Sequence, residues 1–183
     1  KFAELLKASW PDSFILLVGT HPSACAEETM GYSEAIDAVA IGEYDNIVRE
    51  LADALDKKAD VTEVRGLCVR TENGLVRTKP MPPMNDLDDI PFASEFIHEH
   101  LDEHDYFFAA ATYPSIQIFT GRGCPFRCNF CVYPQTMHGH IFRARSAKNV
   151  VDEFEYIATH FHDVKEIVIE DDTFTVNKKR VID

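Results

Sequence analysis

The feature that most constrains this chain is a cluster of three cysteines in the stretch GRGCPFRCNFCVYPQT. Cys124, Cys128 and Cys131 are spaced C-x3-C-x2-C, whereas Cys25 and Cys68 stand far away in the sequence. Glycine, proline, arginine and asparagine surround the three cysteines and favour a loop over a helix or strand. An odd, clustered set of cysteines is a poor disulfide framework. The motif therefore indicates a metal site on a loop, and we expect Cys25 and Cys68 to be small core residues.

Three kinds of metal site compete for these thiols. A zinc site could add His138 or His140 as a fourth ligand. An electron-carrying 4Fe-4S protein normally supplies four cysteines, and a fourth clustered cysteine is missing here. A 4Fe-4S cluster with three cysteine ligands leaves one iron open, and an open coordination position is a binding site. A molecule with an amine and a carboxylate, such as S-adenosylmethionine (SAM) at its methionine end, could chelate that iron.

The segments on either side of the cysteines predict a βαβ unit. SIQIF alternates like a strand, and VKEIVIEDDTF predicts a second strand with an acidic end. Between them, Ser146 can cap a helix. The apolar stripe of that helix comprises Val150, Val151, Phe154, Ile157, Ala158 and Phe161. A strand, helix and strand in this order are expected to pair in parallel with a right-handed crossover.

The N-terminal part repeats a strand–loop–helix plan twice, which is typical of an α/β fold. Residues 14–18 and 37–41 predict two short buried strands. The helix after the second strand has Ile47, Val48, Leu51 and Leu55 on one face. Asn73-Gly74 predicts the turn of a hairpin. The prolines and acids that follow predict a linker over residues 80–114.

Composition limits the partners and the setting of this chain. The net charge of −13 excludes a basic surface of the kind that binds nucleic acid. No apolar run reaches the ~20 residues of a transmembrane helix, and residues 1–14 lack the features of a signal peptide. We therefore expect a cytoplasmic, reducing setting, where clustered thiols favour metal binding. His100 and His104 are spaced to share a helix face and form a minor second candidate metal pair.

The stretch GCPFRCNFC resembles the C-x3-C-x2-C signature of radical SAM enzymes, including the aromatic Phe130 before the last cysteine. The resemblance implies that Cys124, Cys128 and Cys131 bind three irons of a 4Fe-4S cluster and that SAM chelates the fourth. It also implies that the reduced cluster cleaves SAM to a 5′-deoxyadenosyl radical, which abstracts hydrogen from a substrate. Phe130 is expected to contact the cluster or the adenine of SAM.

A second motif supports the same resemblance. Members of this family carry a short motif at the end of the second barrel strand that contacts the SAM amino group. Glu170, Asp171 and Asp172 occupy that place here, and a carboxylate is the expected partner of an ammonium group. The form EDDTF resembles the cobalamin-linked branch of the family. The resemblance therefore implies that these three acids bind SAM.

The N-terminal strands end in VGTHPSA and AIGEYDN, which resemble stretches of the cobalamin-binding domain that precedes many radical SAM domains. On this resemblance, Gly19 and Thr20 lie near the nucleotide tail of cobalamin, where a small residue lets a ligand approach the backbone. The implied cofactors are therefore a 4Fe-4S cluster, SAM and cobalamin. We expect cobalamin binding of the full-length protein rather than of this chain alone.

The branch that this sequence most resembles contains the anaerobic magnesium-protoporphyrin monomethyl ester cyclase and hopanoid-biosynthesis radical SAM proteins. It implies oxidation, cyclisation or methylation of a small-molecule or lipid-like substrate, with an electron donor such as flavodoxin or ferredoxin. The expected organisation is the C-terminal half of a Rossmann-like cobalamin-binding-type domain over residues 1–79. A linker over 80–114 and the start of a (βα)6 partial TIM barrel over 115–183 follow. With further units expected beyond both ends, this chain alone is expected to be inactive.

Overall fold

The computed structural model describes residues 1–182 as a mixed α/β chain. In chain order, the elements are α1 (Phe2–Ser9), β1 (Leu16–Leu17), α2 (Thr20–Ala24), α3 (Ala26–Gly31), β2 (Ala38–Ala40), α4 (Asp45–Asp56), β3 (Leu67–Thr71), β4 (Gly74–Arg77), α5 (Ala93–His100), β5 (Ser115–Ile118), β6 (Gly121–Arg122), α6 (Tyr133–Thr136), β7 (Arg143–Ala144), α7 (Ala147–His160), β8 (Glu166–Ile169) and α8 (Lys178–Ile182). Short 3-10 turns lie at Val61–Glu63, Glu103–Asp105 and Phe174–Val176.

The elements fall into two compact units. The first unit comprises Lys1–Met84 together with Phe126–His140, and the second comprises Asn85–Pro125 together with the chain from Ile141 onward. Each unit has its own hydrophobic core. Among the described residues, no helix combines the length and the apolar character needed to cross a membrane.

The first unit is built on a four-stranded sheet in the order β1-β2-β3-β4. Strands β1 and β2 pair in parallel, and β2–β3 and β3–β4 pair antiparallel. The central strand β2 is buried on both faces: Ala38 and Ala40 pack with Ile47 and Leu51 of α4, whereas Val39 packs with Met30 of α3. This two-sided burial explains why β2 is an uninterrupted apolar run, as the sequence predicted.

Two local expectations in the first unit differ in detail from the structure. On α4, Ile47 and Leu51 are buried, but Val48 and Leu55 are exposed at the edges of the predicted face. In the hairpin, Thr71 pairs with Gly74, so the two loop residues are Glu72 and Asn73 rather than Asn73 and Gly74. Gly74 begins the return strand at φ +111°, a conformation that glycine adopts without strain.

The second unit contains the predicted βαβ arrangement. Strands β5 and β8 pair in parallel, with Ile116 opposite Ile167 and Ile118 opposite Ile169. Helix α7 connects them and buries Ile157 against the isoleucines of both strands. The Ser146 hydroxyl accepts a hydrogen bond from the Asn149 amide at 3.1 Å and caps α7, as predicted. Of the predicted stripe, Val151 and Ala158 are exposed.

The segment predicted as a linker contains helix α5, which is part of the second unit. Ser94 on α5 is fully buried, and Ile97 packs against the core formed by β5 and α7. The helix ends at His100, and His104 lies in the 3-10 turn beyond it. The two histidines therefore do not share a helix face, and the spacing argument for a metal pair does not apply.

Candidate metal and cofactor centre

The two ends of the cysteine loop are joined by a short antiparallel sheet in the second unit. Gly121 and Arg122 of β6 pair with Ala144 and Arg143 of β7, on either side of residues 123–142. A Cβ atom added at Gly121 would lie 2.9 Å from the Phe142 ring, so a larger residue here would have to displace that ring. The loop that begins with Cys124 is thus fixed where it leaves the sheet and where it returns.

All five cysteines are free thiols, and their exposure separates them into two groups. Cys128 is exposed, and Cys124 and Cys131 are half-buried, so the three motif thiols are accessible. Cys68 is fully buried in the core of the first unit, and burial raises the pKa of its thiol. Cys25 is half-buried between α2 and α3. The donors suited to a soft metal are therefore the three motif cysteines.

Residues 126–140 of the loop belong to the first unit, and they carry Cys128 and Cys131 on irregular backbone. The Cys131 amide donates to the Cys128 carbonyl at 3.1 Å, which closes one turn between them. Phe130 is 88% exposed, so its ring is free to cover a bound group. The Nδ1 atom of His140 lies 3.1 Å from the Phe126 carbonyl oxygen, a contact that occupies one of its two nitrogens.

The acids at the end of β8 occupy different environments. In the second unit, the Glu170 amide donates to Ile118 at 2.9 Å and extends the parallel pairing by one residue. Because Ile118 and Ile169 face α7, Glu170 lies on the opposite, uncovered face of the sheet, together with Phe119 and Val168. Glu170 is exposed, and within the described chain no residue donates a hydrogen bond to its carboxylate.

Asp171 and Asp172 instead bind the backbone that leads to Cys124. The Asp171 side chain is fully buried and accepts hydrogen bonds from the amides of Thr120 at 2.6 Å and Gly121 at 2.9 Å. The Asp172 carboxylate accepts from the Gly123 amide at 2.8 Å. The Thr120 hydroxyl donates to the other oxygen of Asp171, so both of its oxygens are occupied by groups of this chain, in contrast to the free carboxylate of Glu170.

A buried ion pair lies next to the loop, and the sequence did not identify Glu153 as its acidic partner. Arg145 donates to the Phe119 carbonyl at 2.7 Å and to the Glu153 carboxylate at 2.5 Å. The Ser94 hydroxyl donates to the other oxygen of Glu153 at 3.0 Å. Glu153 precedes the buried Ile157 by four residues and so lies on the core face of α7. An acid at a core-facing position of a helix indicates that a buried basic or polar partner must exist, and this was the available sequence signal.

Gly19 and Thr20 lie where β1 gives way to α2 in the first unit. Gly19 has φ +112°, and a Cβ atom added there would meet nothing within 4 Å, so the backbone borders open space. The turn at Gly42, which follows β2, is linked to α2 by Ser23, whose hydroxyl accepts a hydrogen bond from the Gly42 amide at 3.0 Å. The carboxyl ends of the two parallel strands thus form one edge, the usual ligand-binding edge of such sheets.

The second unit also contains a cavity of about 410 Å³ beside β5. Four of its nine lining residues are aromatic, Gln117 contributes an amide group and Glu103 a carboxylate. The aromatic lining residues are Tyr106, Phe107, Phe108 and Phe119. A cavity of this size and character suits an apolar small molecule.

Comparison with known proteins shows that this chain is similar to part of several longer proteins. No family model matches the sequence. An uncharacterized methyltransferase of Pyrococcus horikoshii is 36% identical over 182 residues, which covers 99% of this chain and 38% of the relative. An anaerobic magnesium-protoporphyrin IX monomethyl ester cyclase of Rubrivivax gelatinosus is 29% identical over 184 residues, covering 98% and 32%. The chain spans about a third of the length of these relatives.

Solved structures of two enzymes share the fold. The cobalamin-dependent SAM radical enzyme OxsB, with aqua-cobalamin and SAM bound, matches 98% of this chain and 25% of its own, with a TM-score of 0.75 and 20% identity. The radical SAM methyltransferase TsrM of Kitasatospora setae, with cobalamin and a [4Fe-4S] cluster bound, matches 98% and 34%, with a TM-score of 0.68 and 21% identity. The fold class expected from the sequence, α/β with a Rossmann-like part and a βα-barrel part, is confirmed.

Proposed function

We propose that this chain is the cluster- and SAM-binding part of a cobalamin-dependent radical SAM enzyme, in keeping with its similarity to a methyltransferase and to the anaerobic magnesium-protoporphyrin cyclase. The observation that carries the proposal is the set of three free motif thiols on the loop between β6 and β7. A 4Fe-4S cluster accepts thiolate ligands, and three of them leave one iron for SAM. The donor set therefore fits the proposed group.

In this proposal, Cys124, Cys128 and Cys131 hold the cluster, and Glu170 binds the SAM amino group. When bound together, a reduced cluster and SAM supply a 5′-deoxyadenosyl radical that abstracts hydrogen from a substrate. An exposed, unpartnered carboxylate on the uncovered sheet face is suited to an ammonium group. Phe130, with its exposed ring, excludes water from the cluster or stacks on adenine. Asp172 keeps a secondary place in the predicted SAM set because it is exposed.

We further propose that the full-length protein binds cobalamin and transfers a methyl group. Two relatives are named methyltransferases and two are named cyclases, and the proposal of methylation follows the relative with 36% identity, which is named a methyltransferase. The open space at Gly19 and the adjacent start of α2 at Thr20 suit the approach of a large ligand to the backbone. These two residues would lie beside the nucleotide tail of cobalamin.

The proposed substrate is a small molecule with a large apolar part, in keeping with the aromatic cavity beside β5. The proposed electron donor is a small redox protein of the flavodoxin or ferredoxin type, because the cluster must be reduced before it can act. The proposed setting is the cytoplasm, where free thiols persist.

The test is anaerobic reconstitution of the full-length protein with iron and sulfide. We expect about four irons per chain by the stoichiometry of the cluster. Electron paramagnetic resonance (EPR) of the dithionite-reduced protein should show a 4Fe-4S signal whose line shape changes when SAM is added. Replacing Cys128 by alanine should abolish the iron, whereas Cys25→Ala should leave it unchanged, since Cys25 lies outside the motif.

Three outcomes separate the alternatives. A cluster signal that SAM does not alter would indicate an iron–sulfur module without SAM chemistry. Retention of zinc instead of iron, sensitive to replacement of His138 or His140, would indicate a structural zinc site. A SAM-dependent change lost in Cys128→Ala and kept in Cys25→Ala would support the proposed function.

A further inference from the structure

Two consecutive aspartates after β8 hold most of the backbone amides that lead into the cysteine motif. Asp171 accepts from the amides of Thr120 and Gly121 through one carboxylate oxygen, at 2.6 and 2.9 Å. Its other oxygen accepts from the Thr120 hydroxyl at 2.5 Å. Asp172 accepts from the Gly123 amide at 2.8 Å. Three of the five amides between β5 and Cys124 therefore donate to these two side chains.

The carbonyl groups of the same segment are held from other elements of the second unit. The Phe119 carbonyl accepts from Arg145, and the Thr120 carbonyl accepts from the Arg145 amide at 3.0 Å and from the Arg180 guanidinium at 2.7 Å. Arg180 also donates to the Thr120 hydroxyl. The segment from Phe119 to Gly123 is thus fixed by Arg145 directly after β7, by Arg180 of α8 and by the two aspartates after β8, and not by the sheet alone.

The charge of Asp171 is compensated inside this network. The Arg180 Nη2 atom lies 3.9 Å from the Asp171 carboxylate, and the two side chains are 11% and 0% exposed. Thr120 is fully buried between them. A buried carboxylate that is both hydrogen-bonded and paired is a fixed acceptor, because moving it would leave several buried polar groups unsatisfied.

We propose that Asp171 is a positioning residue for the cluster, which sets the direction of residues 120–123 and so the point from which Cys124 binds metal. Asp172 supports it at Gly123, the residue directly before the cysteine. This inference rests on the proposed cluster site and adds that the acids of the motif have different roles. Glu170 serves the ligand, whereas Asp171 serves the loop.

The first readout is amide hydrogen exchange of Thr120 and Gly121 in the metal-free full-length protein, which does not depend on any cluster. Loss of a hydrogen bond to a charged acceptor should speed exchange by about 10–100-fold in Asp171→Ala. Asp171→Asn keeps an oxygen that can accept from both amides, so it should retain most of the protection. Asp152→Asn, an exposed change on α7, is the matched control and should leave exchange unchanged.

The second readout is retention of iron against a chelator after reconstitution, together with the EPR line shape. Residues that support metal ligands from outside the first coordination sphere typically change metal affinity by about 10–100-fold. We expect Asp171→Ala to lose iron at least about tenfold faster than the parent. Asp171→Asn and Asp152→Asn should resemble the parent protein. Circular dichroism of each variant establishes that it is folded.

The outcomes distinguish this inference from the proposed function. Unchanged exchange at Thr120 and Gly121 in a folded Asp171→Ala protein would overturn the positioning role, whatever the iron content. Faster exchange with unchanged iron retention would also overturn it, since the contacts would then be structural only. If the parent protein binds no iron, the proposed function fails, and the cluster-positioning role fails with it. Faster exchange combined with weaker iron retention, restored in Asp171→Asn, supports the inference.

Discussion

At the scale of single residues, this chain separates groups of the same chemical type by environment. Glu170, Asp171 and Asp172 are consecutive acids, yet the first is free on an open sheet face and the second is fully buried under the cysteine loop. The thiols divide in a similar way, because Cys68 is buried in a core while the three motif thiols are accessible. A sequence motif groups such residues together, whereas their different environments are visible only in the folded structure.

The thiols should differ in their reactivity in the folded, metal-free protein. Thiolate is the reactive form, and burial raises the pKa of Cys68, so this thiol should stay protonated and shielded at pH 8. We expect iodoacetamide to modify Cys128 first, then Cys124 and Cys131, and to leave Cys68 unmodified until the chain is denatured. Peptide mass spectrometry measures each site. Early labelling of Cys68 would contradict the packing of the first unit.

Glu170 should matter for SAM and not for the cluster itself. Replacing it by glutamine removes the charge that we propose for the SAM ammonium, so SAM affinity should fall by about 10–100-fold. Iron content should not change. Titration of the SAM-dependent EPR change measures the affinity.

Glu166→Gln is the matched control for Glu170 because both residues lie on the same face of β8. The Glu166 carboxylate is already engaged by the Thr112 amide at 2.8 Å, so its replacement should leave SAM affinity unchanged. Equal loss of affinity in both variants would argue against a specific role for Glu170.

At the scale of elements, helix α7 depends on the ion pair that joins it to the cysteine loop. Glu153 and Arg145 have side chains that are 1% and 9% exposed. Glu153→Leu leaves the arginine buried without its partner, so the free energy of unfolding should fall by about 3–5 kcal/mol. Asp152→Ala on the same helix breaks the exposed pair with Lys148 and should cost less than about 1 kcal/mol.

Urea denaturation followed by circular dichroism measures both changes in α7. Both changes remove one acid of an ion pair, but the Glu153 pair is buried and the Asp152 pair is exposed. The ratio of the two losses in unfolding free energy therefore measures the effect of burial on the pair. Similar losses for the two variants would mean that the Glu153–Arg145 pair contributes no more than a surface pair.

The elements were predictable where burial is periodic, and less so where polar contacts decide the structure. The strand pair, α7 and its Ser146 cap follow from apolar spacing and one capping residue, and all were predicted. Helix α5 was assigned to a linker and not to the second unit, because its main anchors are only Ile97 and the buried Ser94. The amide contacts of Asp171 carry no sequence signal, since they depend on a segment about fifty residues earlier.

At the scale of the whole molecule, the cysteine loop contributes thiols but little apolar packing to the fold. Phe126, Phe130 and Ile141 are all exposed along it. A loop of this kind gains order from what it binds, because a ligand that binds the folded state stabilises it by mass action. Stability of the chain should therefore depend on the metal it carries.

Reconstitution with iron and sulfide should raise the melting temperature of the metal-free chain. A ligand at 100 times its dissociation constant adds about 2.7 kcal/mol. For a chain of this size, each kcal/mol raises the melting temperature by about 2–4 °C, so we expect a rise of roughly 5–10 °C. Cys128→Ala should show no rise, whereas Cys25→Ala should match the parent. Differential scanning calorimetry under anaerobic conditions measures these values. A rise produced by zinc and abolished in His140→Ala would instead favour a structural zinc site, because only that site needs an imidazole.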